Sequence, residues 1–449
     1  MSEGDHKYWE LKAEWLKLRG YLFDPGTGLP SLPAVVDDIR RRLEDGEEVG
    51  VVYVDLSGEE RLETIFGWQA YDQILRQAAG ALNAFRSAVL NERDEIAISG
   101  IRGDEFLVFV GVRPPERLDE RRLEQLRDKI TEALVAGLSY DAAGDIPRAL
   151  ALSSGAILIG ADPTVRLERA IYRSIDEVRA RCREQRSRRH GLRVTELRRI
   201  LSAGDLRVRY QPIVALDDGF IHGFEALSAG PAGDVFENPE VLFSFAEETD
   251  QIVELERLCR RNAIRGAGRL QRGQKLFLNS SVPGFVDPDL LRHGLLEDVE
   301  KAGLKPTDVV FEVTERVAIT EWQHFRTIVA DLRSHGFSVA IDDMGAGYSS
   351  LQAVAEIEPD YLKFDISLVR DIHISPIKRN LMETLVVLAG KIDATVVAEG
   401  VETSGEYAAL RDMGVALGQG YFFAAPAALE GPAPSRLHDP MHRHEPAAG

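Results

Sequence analysis

Seven apolar segments in the later part of this chain close on a polar group: Glu225, Asn279, Glu312, Asp342 with Asp343, Lys363, Glu399 and Gln419. Carboxylates gathered around one opening repel each other and raise each other's pKa unless a cation neutralises them. Oxygen donors without cysteine or histidine suit magnesium or manganese rather than zinc. Two such ions bridged by an aspartate activate a water and stabilise the attacking and leaving oxygens of phosphoester hydrolysis. Lys363 can then position the water or offset developing charge.

That chemistry requires elements that bring distant residues together. From Arg193 onward, short apolar strands alternate with helices: "LRVRYQPIVAL", "GFIHGFEAL", "KLFLNSS", "VVFEVTE", "SVAIDDMG", "YLKFDIS", "TVVAEGVE" and "ALGQGYFF". Eight strands over roughly 240 residues fit a (β/α)8 barrel, whose strand ends converge on one mouth. A doubly wound sheet is the alternative. The first half reads as a compact α/β unit, with strands at 49–57, 96–112 and 149–159 and helices at 70–85, 117–136 and 164–185. A turn at Gly103-Asp104 splits the middle segment into a hairpin.

The 449 residues suffice for two or three cores. With 44% hydrophobic and 28% charged residues, the chain is neither disordered nor fibrous. A net charge of −19 disfavours duplex nucleic acid. No apolar run is long enough to cross a bilayer and no signal core follows the N-terminus, so a cytoplasmic protein without membrane insertion is expected. Cys182 and Cys259 are too few and too far apart for a disulfide framework. The basic stretch 179–193 reads as a solvated helical linker.

The motifs "YQPIVAL", "FEAL", "FLNSS", "FEVTE", "IDDMGAGYSSL", "YLKFD", "VVAEGVET" and "GQGYFF" closely resemble, in order, those of EAL-domain cyclic di-GMP phosphodiesterases. The resemblance implies a barrel enzyme that opens cyclic di-GMP to pGpG with two magnesium or manganese ions. It implies that Glu225, Asn279, Glu312 and Asp342 hold one ion and that Asp342 with Asp343 holds the other. Lys363 and Glu399 match the residues that orient the attacking water, with Glu399 the candidate general base. Gln211, Leu227 and Gln419 match positions beside substrate and water. Glu315 matches the glutamate that positions the loop "DDMGAGYSSL", which in such enzymes often lies at a dimer interface, so a homodimer through this domain is expected. One departure stands out: an arginine that contacts a substrate phosphate in the family is replaced by Ala229.

The first half resembles a GGDEF diguanylate cyclase domain through "DPGTGLPS", "VVYVDLS", "RGDEF" and "ERAIYRS". The match is degenerate: Arg102 replaces the first signature glycine, and Glu63 and Thr64 replace the guanine-recognising pair. The resemblance implies a noncatalytic, regulatory domain, with Asp55, Asp104 and Glu105 a candidate site for a metal or a nucleotide such as GTP. The expected domains are an N-terminal helix at 1–22, a degenerate GGDEF domain at 23–189, an EAL domain at 190–430 and a disordered tail at 431–449.

Overall fold

The structure is a computed structural model that describes residues 22–56, 68–99, 104–138, 152–160, 164–285, 287, 290, 294–314, 322–345 and 350–436. The expected N-terminal helix, Glu63, Thr64, Arg102 and Glu315 lie outside these residues. The chain divides into two units, Met1–Arg193 and Val194–Gly449. Among the described residues no helix is long and apolar enough to cross a membrane.

In the first unit, β1 (Glu48–Asp55), β2 (Glu95–Ser99), β3 (Glu105–Val112) and β4 (Ser153–Leu158) form one sheet in the order β2-β3-β1-β4. Every pairing in it is antiparallel. Between Glu48 and Asp55, β1 is apolar because both of its faces are covered. Val49, Val51 and Tyr53 pack with the helices Leu32–Glu44 and Leu167–Ala203, while Val52 and Val54 pack with Trp68–Val89 and Glu120–Leu138. Residues 179–193 continue the helix Leu167–Ala203. Cys182 and Cys259 are buried, which pushes their thiols up to about 11 and about 12 and leaves them unreactive.

In the second unit, eight strands close into a barrel. They are β5 (Arg207–Ala215), β6 (Ile221–Ala229), β7 (Lys275–Ser280), β8 (Val309–Thr314), β9 (Ser338–Met344), β10 (Tyr361–Phe364), β11 (Thr395–Ala398) and β12 (Leu417–Gly418). The barrel departs from the expected (β/α)8 pattern in one strand: β5 is antiparallel to both β6 and β12. Too few residues separate β5 from β6 for the dozen or more that a parallel crossover requires, so the chain turns back as a hairpin. The N-terminal end of β5 therefore lies at the mouth where the other strands end.

Of the expected disordered tail at 431–449, residues 431–436 are described, and they are packed rather than free. Ala433 is buried, Gln271 and Gln274 donate to the carbonyls of Ala433 and Pro434, and the backbone of Ile221 donates to Ser435.

The barrel interior is layered. Ile213, Phe277, Val310, Ala340, Tyr361, Val397 and Leu417, from seven strands, form an apolar plug. On β6 the register slips by one at His222, whose Nε2 lies 3.0 Å from the Tyr361 hydroxyl. Burial lowers the His222 imidazole to about 4, so the ring is neutral at pH 7.

A buried network steadies the end of β7. Glu256, on the helix Ile252–Gly266, accepts from the backbone of Ser281 at 2.8 Å and from the Ser280 hydroxyl at 3.2 Å, and lies 3.3 Å from Arg260. A Cβ on Gly284 would stand 1.6 Å from Glu256 Oε2. Gly284→Ala is therefore expected to destabilise this unit by about 1–3 kcal/mol, as overpacking does. A lower urea midpoint checks this, and an unchanged midpoint would show that Glu256 is free to move.

Candidate active site

Two residues beyond each plug position, the barrel changes from apolar to polar. Phe277, Val310, Ala340, Tyr361, Val397 and Leu417 are followed at that spacing by Asn279, Glu312, Asp342, Lys363, Glu399 and Gln419. On β6, Glu225 stands two residues after Gly223, and on the reversed β5, Gln211 stands two residues before Ile213. The period of two keeps plug and polar group on the same inward face. Eight strands thus supply one polar group each to a single ring.

Lys363 is at the centre of this ring. Its Nζ lies 2.6 Å from Glu399, 2.7 Å from Glu312, 3.2 Å from Glu225 and 3.2 Å from Asp342. Lys363 and Glu312 are 0% exposed, so this electrostatics operates almost without water. Burying an ion costs several kcal/mol, while one charge pair at 4 Å returns about 4 kcal/mol at an effective dielectric of 20. Four partners let Lys363 win: burial opposes its charge, but Asp342, Glu225, Glu312 and Glu399 raise its pKa well above the ordinary value.

The carboxylates share that one ammonium and divide accordingly. Burial pushes Glu225 up, but Lys363 and the amides of Gln419 and Asn279 hold it below the usual range. Those amides donate to Glu225 at 2.6 and 2.7 Å. Burial raises Glu312 and Glu399 well above the usual range despite Lys363. Gln419 also donates to Gln211 Oε1 at 2.9 Å, and Gln211 donates to the Ala424 carbonyl at 3.1 Å. Leu227 is half-buried two residues above Glu225.

Asp342 and Asp343 require separate explanation, since successive strand residues point to opposite faces. The register between β9 and β10 shifts here, so that this pair stands opposite Lys363 alone, and Asp343 takes the left-handed conformation at φ 57. Such a bulge re-aims a side chain. Oxygens of Asp342, Asp343 and Glu399 all lie within 4.8 Å of one another.

A divalent ion fits this donor set. Both carboxylate oxygens of Glu312 and Oδ1 of Asp342 are buried without a hydrogen bond, although Lys363 stands beside them. Unsatisfied buried oxygens are costly, and a hard cation would satisfy them. Five carboxylates against one ammonium leave a formal excess of four negative charges, which two divalent ions match.

The acidic residues of the first unit are differently placed. Asp55 ends β1 opposite Glu105 on β3. Arg186 donates to Asp55 at 3.1 Å, Arg179 to Glu105 at 2.8 Å, and the Tyr71 hydroxyl to Asp104 at 3.3 Å. Burial raises the Asp104 carboxyl. The two arginines, which the sequence reading missed, carry a signal: they are seven residues apart on one helix and so share a face.

Removing the central cation tests this electrostatic account. Lys363→Met should cost about 3–5 kcal/mol, as breaking a buried ion pair does. Thermal unfolding in chelator should show the loss, and excess Mn2+ should recover part of it. An unchanged melt in chelator would remove Lys363 as the counter-ion.

The family model for the EAL domain matches residues 194–426. Cyclic di-GMP phosphodiesterase NbdA of Pseudomonas aeruginosa is 28% identical over 91% of this chain and 53% of its own length. Cyclic di-GMP phosphodiesterase PdeR of Escherichia coli is 28% identical over 90% of this chain and 61% of its own. The chain thus spans between about half and three fifths of these relatives. The crystal structure of the Xanthomonas citri FimX EAL domain, in complex with c-di-GMP, aligns with a TM-score of 0.50 at 23% identity, covering 56% of this chain and 97% of that one, and shows the shared fold.

Proposed function

The chain belongs to the EAL domain family, and from that premise we propose that its second unit hydrolyses cyclic di-GMP to pGpG. The observation that carries this reading is the ring of eight polar groups, one per strand, with Lys363 inside it. Glu225, Asn279, Glu312 and Asp342 would hold one divalent ion, Mg2+ or Mn2+, and Asp342 with Asp343 the other. When bound, the ions supply positive charge that polarises the phosphodiester and makes water a better nucleophile.

The chain's own groups do the rest. Glu399, as the carboxylate, accepts the proton of the attacking water, and its burial raises its affinity for that proton. Lys363, held charged, orients that water through its contact with Glu399 and stabilises charge growing on phosphorus-bound oxygen. The water oxygen bonds to phosphorus, the bond from phosphorus to one 3′ oxygen breaks, and that oxygen leaves with a proton from solvent. Gln211, Leu227 and Gln419 line the substrate side of the ring.

The first unit, read as a degenerate GGDEF domain, serves regulation rather than synthesis. Arg186 and Arg179 already neutralise Asp55 and Glu105, so GTP with its metal would have to displace them. GTP is accordingly tested as a regulator, by comparing phosphodiesterase rates with and without it; equal rates and affinities dismiss it. The second unit also carries material for a homodimer: Ile377 and Leu381, four apart on the helix Pro376–Lys391, are 80% and 44% exposed, and Ile374 in the turn before that helix is 68% exposed. Ile377→Asp should shift a sedimenting dimer to monomer, whereas sedimentation equal to the unaltered chain's would place any dimer contact elsewhere.

The decisive assay incubates the purified chain with cyclic di-GMP and Mg2+ or Mn2+ and resolves pGpG by chromatography. Turnover is expected in one or both metals, and Glu225→Gln should abolish it with the circular dichroism unchanged. Ala229, where the family has a phosphate-binding arginine, favours a second reading as a cyclic di-GMP receptor. Tight binding without turnover in either metal selects that reading.

A further inference from the structure

We propose that Arg209 is a substrate-binding residue of the barrel mouth, where it grips a phosphodiester oxygen of the substrate. The inference rests on the phosphodiesterase reading and deepens it. Its basis is the direction of β5. Alternate residues of that strand face inward: Ala215 and Ile213 belong to the apolar plug, and Gln211 belongs to the polar ring. Because β5 runs antiparallel to its neighbours, the next inward position towards the mouth is an earlier residue, Arg209. At about 3.4 Å per residue it stands roughly 7 Å above Gln211.

The register fixes what surrounds it. Arg209 lies directly across from Leu227, and Gln211 directly across from Glu225. Ala229 is the diagonal neighbour, a separation that long side chains span. Arg207, directly across from Ala229, is already committed: its guanidinium donates to the Gly230 carbonyl at 2.8 Å and to Glu237 at 2.9 Å. Arg209 is exposed and makes no hydrogen bond or ion pair with the described residues, although its charge, with that of Arg207, helps lower the Glu237 carboxyl. The equivalent levels of β6 and β7 carry Leu227 and Ser281, which have no charge.

Charge balance requires such a group. Two divalent ions would match the formal excess of the carboxylate ring and leave nothing over for an anionic substrate. An exposed guanidinium one step above that ring presents a planar fork suited to phosphate oxygens. The small Ala229 side chain beside it leaves room for the ligand.

The test measures cyclic di-GMP binding in Ca2+ by calorimetry and KM and kcat in Mn2+, for the unaltered chain, Arg209→Gln, Arg209→Lys and Arg209→Gln with Ala229→Arg. Arg209→Gln should weaken binding and raise KM by about tenfold or more, leaving kcat and the Mn2+-induced melting shift unchanged. Arg209→Lys should lose less, and Ala229→Arg should recover most of the lost affinity. A Kd and KM for Arg209→Gln within about twofold of the unaltered chain overturn the inference alone. An unaltered chain that neither binds nor hydrolyses cyclic di-GMP overturns the phosphodiesterase reading, and the inference with it.

Discussion

The barrel is organised around one buried ammonium. Lys363 touches four carboxylates from four strands, and nothing else in the described ring carries positive charge. This constraint has two sides. It lets acidic groups approach far more closely than they would in an apolar core, and it leaves them incompletely satisfied, with buried Glu312 oxygens that accept no hydrogen bond. The ring is thus built to be completed by further cations. Structure elsewhere serves to hold it: the apolar plug seals it from below, Gln419 bridges β5 and β6, and Glu256 fixes the turn behind Asn279.

Much of this arrangement was legible in the sequence, because a barrel converts a strand-end position into a spatial one. Glu312, Lys363 and Glu399 each close a short β-branched or aromatic run, and the period of two then places them on the inward face. The direction of β5 was not legible from apolar patterning, since a strand buried on both sides reads the same in either direction. Only the short link before β6 betrays it. For that reason Arg209, which precedes "YQP", escaped notice as a mouth residue. The bulge at Asp342 and Asp343 was hidden for a related reason: two adjacent acids do not announce a left-handed residue.

In the first unit the sequence supplied the acidic residues and the structure supplied their partners. Asp55, Asp104 and Glu105 read as ligands when considered alone. Arg186 and Arg179 were unrecognised because their pairing with Asp55 and Glu105 spans 131 and 74 residues of chain. The same carboxylate chemistry therefore has opposite outcomes in the two units. Where one ammonium faces four acids, a deficit of positive charge remains; where Arg186 meets Asp55 and Arg179 meets Glu105, two of the three acids are paired internally and Asp104 is left to the neutral Tyr71 hydroxyl.

The pairing of β5 with β12 also sets a timetable for synthesis. β5 is the first barrel strand to leave the ribosome and β12 the last, and the backbone of Tyr210 exchanges hydrogen bonds with Ala427 beyond it. At about 5–20 residues per second, the opening strand waits many seconds for its neighbour. Gln419, which ties Gln211 to Glu225, arrives only then. The polar ring therefore cannot close before β12 has emerged, and a chain cut short before β12 lacks the strand that closes the barrel and the glutamine that ties the ring.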